Sequence, residues 1–191
     1  MKEHITERLS ETLRLLEAII ADQVPVIEEM VDVIVQCYRD GNKVLLCGNG
    51  GSAADAQHIA CELVGRFLAD RRALKAEALS ANTASLTAIA NDFGFEQVFA
   101  RQLAAQGSEG DVAIGISTSG NSANVVAGLA RAREMGMKTI ALTGQGGGRC
   151  AEHADVLLDV PASHTPRIQE VHVVTYHILC ELVEAEVVAH G

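Results

Sequence analysis

Residues 43–52 read Lys43-Val44-Leu45-Leu46-Cys47-Gly48-Asn49-Gly50-Gly51-Ser52, an apolar run followed by a glycine-rich loop. The apolar run predicts a strand that is buried on both faces. A helical pattern follows the loop, from about Ser52 to Phe67. A strand, a tight loop and a helix in this order form the repeating unit of parallel α/β sheets.

The same arrangement recurs along the chain. A second strand is predicted at residues 111–116, followed by Ser117-Thr118-Ser119-Gly120-Asn121-Ser122 and a helix to about Met135. Further strands are predicted at residues 138–142 and 156–160, with a weaker one near 76–79, and a last helix from about Arg167 to Val188. The pattern predicts an α/β fold, a three-layer αβα sandwich around a five-stranded parallel sheet.

The N-terminal region carries apolar residues at helical spacing as far as about Tyr38. Pro25 should kink or split this region into two helices, and Gly41 should end it. No linker composition divides the chain. We therefore predict one domain over residues 1–191, with helices in 1–40 as an N-terminal extension and the sheet with its flanking helices in 41–191.

The charge of the chain argues against nucleic-acid binding. Of its 191 residues, 25 are acidic and 15 basic, which gives a formal net charge of −10. A protein that contacts nucleic-acid phosphates normally presents a basic face, and the longest cluster here, Arg71-Arg72, is interpreted as a solvated loop. Binding to a protein that itself binds DNA remains compatible with this charge.

The cysteines indicate a reducing compartment. Their number is five, they are widely spaced, and they form no C-x-x-C pair, which favours small buried apolar groups over disulfides. The sequence shows no recognisable leader and no apolar stretch long enough to span a bilayer. We expect a cytoplasmic protein that makes no membrane contact.

Two polar loops are candidate phosphate sites. Glycines in residues 48–51 allow close approach of the backbone to a ligand, and the following helix offers free N–H groups at its positive end. Residues 117–122 add four hydroxyls that can surround an anion without Lys or Arg. The alternative is an ordinary turn with Ser122 as the helix N-cap. The loops do not match the Walker motif, because its Gly-Lys-[Ser/Thr] ending is absent. The first loop does not match G-x-G-x-x-G either, because Ala53 replaces the last glycine.

His58 and Glu62 are four residues apart on the helix that leaves the first loop, so they project from one face. They could form half of a divalent metal site, a general-base pair, or an ordinary surface pair. Gln169 and His177 lie on the last helix, roughly 12 Å apart along its axis. Either Gln169 sits at a frayed helix start, or the two residues reach one site from different subunits.

Two further residues remain open at this stage. His172 lies on another face of the last helix and is either functional or a satisfied, partly buried histidine. Asp92, in the segment Asn91-Asp92-Phe93-Gly94-Phe95, could bind sugar hydroxyls or move a proton. Its local context favours capping of the helix that follows.

The motifs together resemble those of the bacterial phosphoheptose isomerases, members of the sugar isomerase (SIS) domain group. The resemblance covers nearly the whole chain, in order, and ends with His177 at the expected distance. The matching segments are residues 47–52, Asp55-Ala56-Gln57-His58, residues 90–95, residues 115–122 and Arg167-Ile168-Gln169-Glu170.

The resemblance implies a flavodoxin-like SIS sheet and a homotetramer with sites at subunit junctions. It also implies reversible conversion of sedoheptulose 7-phosphate to D-glycero-D-manno-heptose 7-phosphate, with one Zn²⁺ per subunit. The implied metal ligands are His58, Glu62, Gln169 and His177, with Glu62 and His177 as the acid–base pair. The implied substrate contacts are Asn49, Gly50, Gly51, Ser52, Glu62, Asn91, Asp92, Ser117, Thr118, Ser119, Ser122 and Gln169.

A non-enzymatic relative with the same sheet binds the replication initiator, and it is the alternative to an enzyme here. That relative lacks the glutamate after the first histidine and the Phe-Gly-Phe segment. The presence of Glu62 and of Phe93-Gly94-Phe95 favours the isomerase. An isomerase of another phosphosugar is a second alternative.

Overall fold

In the computed structural model, which describes residues 1–190, the chain forms seven α-helices and five β-strands. The strands are β1 (Val44–Gly48), β2 (Ala76–Ala78), β3 (Val112–Ser117), β4 (Lys138–Thr143) and β5 (Val156–Asp159). The helices are α1 (Lys2–Asp22), α2 (Val24–Arg39), α3 (Gly51–Val64), α4 (Thr83–Phe93), α5 (Val98–Gln106), α6 (Ala123–Glu134) and α7 (Thr165–His190). Short 3₁₀ turns cover Phe95–Gln97 and Gly148–His153.

The strands pair in parallel in the order β2-β1-β3-β4-β5. Leu46 lies opposite Ala78 on one side and opposite Ile114 on the other, which fixes the register of the central strands. This is the flavodoxin-like order of a doubly wound sheet, with its reversal between β1 and β3. The predicted five-stranded parallel sheet is confirmed.

Alternate strand residues face two separate layers of helices. Leu46 and Ile114 belong to a core with α1, α2, α3 and α7, whereas Leu45 and Ala113 belong to a core with α5 and α6. Because both faces of the sheet are covered, every residue of β1 and β3 is buried. This explains why the strands read as continuous apolar runs.

The N-terminal region divides where the sequence predicts. Helix α1 ends before Gln23, and Pro25 occupies the first turn of α2, where its missing N–H does no harm. Met30 and Ile34 of α2 pack into the first core. Gly41 follows α2 at a φ of 81°. None of the helices described in residues 1–190 is long and apolar enough to cross a bilayer.

The interpretation of Arg71-Arg72 as a solvated loop is wrong for Arg71. Its side chain is 3% exposed, and Nε lies 3.0 Å from Oε2 of Glu184 on α7. The Glu184 carboxylate also accepts hydrogen bonds from the backbone N–H groups of residues 67–69 at 2.6–2.7 Å. Burial acts to raise the pKa of Glu184, but these donors and Arg71 together outweigh it and hold the pKa below its ordinary value.

Replacing Glu184 with Gln should lower the free energy of unfolding by about 3–5 kcal/mol, because Arg71 would stay buried without its counter-charge. Urea denaturation measures this loss. Glu186→Gln is the matched control, since Glu186 pairs with Arg39 across 3.4 Å at the surface and its replacement should cost less than about 1 kcal/mol. Equal losses in the two variants would contradict the role assigned to Glu184.

His172 is a structural histidine. It is 0% exposed, and its Nε2 donates to the Thr143 carbonyl across 3.0 Å. Nδ1 is buried without a hydrogen-bond partner, so the ring is held neutral. Burial lowers the pKa of His172 to about 4, despite the opposing hydrogen bond to Thr143. His172 is therefore a buried histidine, as one of the two interpretations has it, but it is fully buried and only one of its ring nitrogens has a partner.

This burial predicts a loss of stability in acid. The unfolded chain protonates His172 below about pH 6.5, whereas the folded chain resists protonation down to about pH 4. Stability is therefore complete above this window and falls as the pH drops through it. His172→Gln keeps a donor for Thr143 but does not titrate. Between about pH 7.5 and pH 5, urea denaturation should show the wild type losing about 2 kcal/mol more than this variant; parallel pH profiles would refute the assignment.

Candidate active site

The two polar loops lie side by side at the carboxyl edge of the sheet. Strands β1 and β3 are neighbours, with Gly48 in register with Ile116, so the loops that follow them leave the sheet together. The strand order reverses at this point, and α/β sheets bind their ligands in the crevice that such a reversal opens. The sequence-predicted phosphate loops therefore share one location.

A reciprocal amide pair joins the two loops. Nδ2 of Asn49 donates to Oδ1 of Asn124 across 2.8 Å, and Nδ2 of Asn124 donates back to Oδ1 of Asn49 across 2.9 Å. Asn124 lies in the first turn of α6 and is 3% exposed. Sequence analysis missed Asn124 because its partner is 75 residues away. The pair fixes how Asn49 faces the crevice.

Gly48 and Gly51 of the first loop lie close to neighbouring groups, and of the two only Gly48 is crowded by backbone atoms. A Cβ on Gly48 would lie 2.6 Å from the Ser52 carbonyl oxygen, and a Cβ on Gly51 would overlap Nε2 of Gln169. Gly50 takes a φ of 56° immediately before α3. The first N–H groups of α3 therefore face the crevice, with Gln169 of α7 lying directly over them.

The second loop arranges its hydroxyls at different depths. Ser117 is buried and its Oγ donates to Oγ of Ser122 across 2.9 Å. Ser122 is the N-cap residue of α6, but its side chain makes no capping hydrogen bond. Thr118 is half-buried, 3.5 Å from the Thr165 hydroxyl, and Ser119 is exposed. The loop thus presents hydroxyls and a helix N-terminus to the same crevice, which suits an anion.

Three chemically active side chains meet between α3 and α7. Nε2 of His58 lies 3.1 Å from Oε1 of Glu62 and 3.5 Å from Nε2 of His177. The two imidazole rings stand edge to face, with centroids 5.0 Å apart. His58 and Glu62 are 41% and 22% exposed, so the cluster is open to a ligand. His58 and Glu62 thus form a partly exposed pair, and α7 adds His177 to it as a third group.

His58, Glu62 and His177 are side chains of the types that bind zinc. Ligands about 2.0–2.1 Å from a tetrahedral zinc are about 3.4 Å from one another, close to the 3.1 and 3.5 Å measured around His58. No group of three or more His, Cys, Asp or Glu side chains in residues 1–190 is arranged so that it could hold a metal ion. The three side chains are therefore near neighbours that a bound ion would still have to draw together.

Gln169 and His177 lie at opposite ends of this crevice. Both belong to α7, which begins at Thr165, so Gln169 is in the regular second turn and not at a frayed start. Gln169 lies over Gly51, whereas His177 contacts His58. In one chain, α7 spans the distance from the glycine-rich loop to the imidazole cluster.

Two residues that sequence analysis did not single out complete the cluster. The Tyr176 hydroxyl lies 3.0 Å from Nδ1 of His58 and donates to Oδ1 of Asp55 across 3.4 Å. Burial raises the pKa of Tyr176 above its ordinary value, and the Asp55 carboxylate raises it further. Burial also raises the pKa of Asp55, although the Tyr176 hydrogen bond and His58 oppose this. In the sequence Tyr176 looks like an ordinary core residue, so no local signal identifies it.

Asn91 and Asp92 lie apart from these groups, at the C-terminal end of α4. Both are exposed, and Nδ2 of Asn91 donates to Oδ1 of Asp92 across 2.7 Å. The expectation that Asp92 caps the following helix is wrong, because Gln97 is the N-cap residue of α5. Within this single chain, none of the residues of α4 is buried.

Comparison with known proteins agrees with this geometry. The SIS domain family model matches residues 9–144. A phosphoheptose isomerase of Geobacter sp. (strain M21) is 50% identical, and the alignment covers 100% of both chains.

Two solved structures are similar over the whole fold. The phosphoheptose isomerase of Neisseria gonorrhoeae superimposes with a TM-score of 0.90 at 42% identity, covering 96% of this chain and 98% of that one. The phosphoheptose isomerase of Francisella tularensis gives a TM-score of 0.92 at 35% identity, covering 96% and 97%. The chain therefore belongs to the SIS domain family and, within it, to the phosphoheptose isomerases.

Proposed function

We propose that this protein interconverts sedoheptulose 7-phosphate and D-glycero-D-manno-heptose 7-phosphate, an aldose–ketose isomerisation that supplies precursors of heptose nucleotides. The observation that carries the proposal is the convergence of His58, Glu62 and His177 next to the glycine-rich loop. One end of the crevice suits a phosphate and the other suits proton transfer. The relatives named phosphoheptose isomerase support the same substrate.

Isomerisation needs a base that removes a proton from the carbon beside the carbonyl and an acid that returns one to the neighbouring carbon. Glu62 and His177 are the proposed pair, and both lie against the same atom of His58, Nε2. Either of them can act first, because a carboxylate and a neutral imidazole are both competent bases. A crevice between α3 and α7 would keep the two groups on one face of the sugar chain.

The substrate would be held mainly by neutral donors. Asn49, Gly50, Gly51 and Ser52 would contact it from the first loop, and Ser117, Thr118, Ser119 and Ser122 from the second. Glycine N–H groups, hydroxyls and two helix N-termini can hold a phosphate without any Lys or Arg. Asn91 and Asp92 would contact sugar hydroxyls. Gln169 would contact the substrate between the two ends of the crevice.

The proposed metal ligands are His58, Glu62, Gln169 and His177, with one Zn²⁺ per subunit. When bound, zinc would supply Lewis-acid stabilisation of the negative oxygen that develops beside the carbonyl carbon. His58 has no proposed part in proton transfer, and its role would be to orient Glu62 and His177 around it.

Glu62→Gln should abolish turnover and leave the fold intact, because the amide cannot take up a proton. A coupled assay of heptose 7-phosphate formation measures the turnover, and circular dichroism checks the fold. Wild-type activity should fall when a chelator removes the metal and return when zinc is added. Glu181→Gln, an exposed glutamate on α7, is the control and should keep full activity. Absence of turnover by the zinc-loaded wild type would refute the proposal that the protein is an enzyme. Full activity of Glu62→Gln would show that Glu62 is not a catalytic residue.

We further propose that the protein works as a cytoplasmic homotetramer with sites at subunit junctions. All five cysteines are free and four are buried, which is compatible with a reducing compartment. Exposed apolar residues recur every four positions on α1 and α7, two helices that pack together. They are Ile5, Leu9 and Leu13 at 54–69% exposure and Val174, Ile178 and Leu182 at 40–41%. Such rows favour burial against a second copy of the chain.

The double substitution of Leu9 and Leu13 by Glu should break the tetramer, because it places two charges in the apolar row. Sedimentation should give the wild type a mass four times the 20.2 kDa of one chain and the variant a smaller mass with loss of zinc binding. Arg14→Glu changes an exposed charge beside the row and should leave the tetramer intact. Stoichiometric zinc on a monomer would contradict sites at subunit junctions.

A further inference from the structure

We infer that Tyr176 and Asp55 are positioning residues that fix the tautomer of His58, so that its Nε2 presents a lone pair to the proposed zinc site. This inference rests on the proposed zinc site, but its observations are independent of that proposal. Tyr176 is 1% exposed, and its hydroxyl stands between Nδ1 of His58 and Oδ1 of Asp55. Three polar groups thus form one chain behind the imidazole.

The donor and acceptor in each of these hydrogen bonds follow from the number of protons that the three groups carry. An ionised carboxylate only accepts hydrogen bonds, so the Tyr176 hydroxyl must donate to Asp55. The phenolic oxygen is then free to accept, and its neighbour across 3.0 Å is Nδ1 of His58. A neutral imidazole carries a single N–H, so a proton on Nδ1 leaves Nε2 as a lone pair.

The contact between His58 and Glu62 favours the opposite tautomer, so a partner at Nδ1 of His58 is needed to counter it. Nε2 of His58 lies 3.1 Å from Oε1 of Glu62, and a carboxylate there favours a proton on Nε2. That tautomer would block His58 as a ligand through Nε2. The Tyr176 oxygen offers the same proton an alternative position, on Nδ1. Metal-binding histidines commonly donate their other N–H to such a partner, which fixes the ring and its tautomer.

Tyr176 also fixes the orientation of both imidazoles by packing. Its ring is edge-on to His58 at 5.4 Å between centroids and 71°, and edge-on to His177 at 5.0 Å and 75°. The second Asp55 oxygen, Oδ2, is buried and has no hydrogen-bond partner, so the carboxylate has no competing donor on that side. Tyr176 and Asp55 form a polar pair in an apolar interface between helices. Such a pair fits a positioning role better than a role in packing alone.

The test is Tyr176→Phe, which keeps the ring and removes only the hydroxyl. Competition with a chromogenic chelator should show the zinc dissociation constant rising about 10–100-fold. Tyr38→Phe is the matched control, because Tyr38 is the other tyrosine in the chain. Its hydroxyl donates to the Lys75 carbonyl across 3.4 Å, away from the cluster. The control should bind zinc as the wild type does.

A second measurement reads the tautomer directly. In zinc-stripped protein labelled with ¹⁵N-histidine, the NMR spectrum of the wild type should place the His58 proton on Nδ1, and Tyr176→Phe should move it to Nε2. An unchanged zinc affinity together with an unchanged tautomer in Tyr176→Phe would overturn the inference. If Tyr176→Phe fails to fold, Asp55→Asn replaces it and should give a smaller rise in the dissociation constant.

The two proposals fail in distinguishable ways. A wild-type protein that binds no zinc refutes the proposed metal site, yet its histidine spectrum still tests the link between Tyr176 and His58. A wild-type protein that binds zinc tightly, with Tyr176→Phe equal to it in affinity and tautomer, refutes the positioning role alone.

Discussion

The parallel pairing of β1 with β3 is the constraint on which the site depends. The order in which strands are added to the sheet reverses between these two parallel strands, so the helices that follow them lie on opposite faces. The loops between strand and helix must therefore meet across the edge of the sheet. The amide pair of Asn49 and Asn124 closes that junction. Together the two loops bring two helix N-termini to one crevice.

The cluster of His58, Glu62 and His177 depends on how α3 is held against α7. Arg71 pairs with Glu184 of α7 and also donates to the backbone carbonyls of Glu62 and Leu63. The last turn of α3 is thus fixed to the helix that carries His177. A shift of about 1 Å between these helices would separate the imidazoles, and such displacements are costly for catalysis. On α7, Glu184 lies about two turns after His177, and the buried ion pair stabilises the packing of α3 against this helix.

Local patterns in the sequence predict most of the sheet and half of the site. The apolar runs locate the strands because burial on both faces leaves no polar positions, and Pro25 divides α1 from α2 for a steric reason. His58 and Glu62 are recognisable because one helix presents both. Arg71, Asn124 and Tyr176 are not, since each takes its role from a partner on another element. The role of Asp92 was misjudged because the sequence does not mark where α4 ends: Asp92 lies inside this helix, which continues to Phe93.

The arginines nearest the cluster explain how Glu62 stays available. The Arg71 guanidinium contacts the Glu62 carbonyl oxygen rather than its carboxylate, because Glu184 and other backbone carbonyls occupy the remaining donors. Arg167, close to Gln169 on α7, is likewise paired with Glu170 and with the Arg8 carbonyl.

A free cation in the phosphate loops could pair with Glu62 and remove it from proton transfer. Hydroxyls and N–H groups would bind a phosphate without that competition, and the chain as a whole carries a net charge of −10. Neutral recognition at one end of the crevice would therefore leave the Glu62 carboxylate at the other end free to face His58.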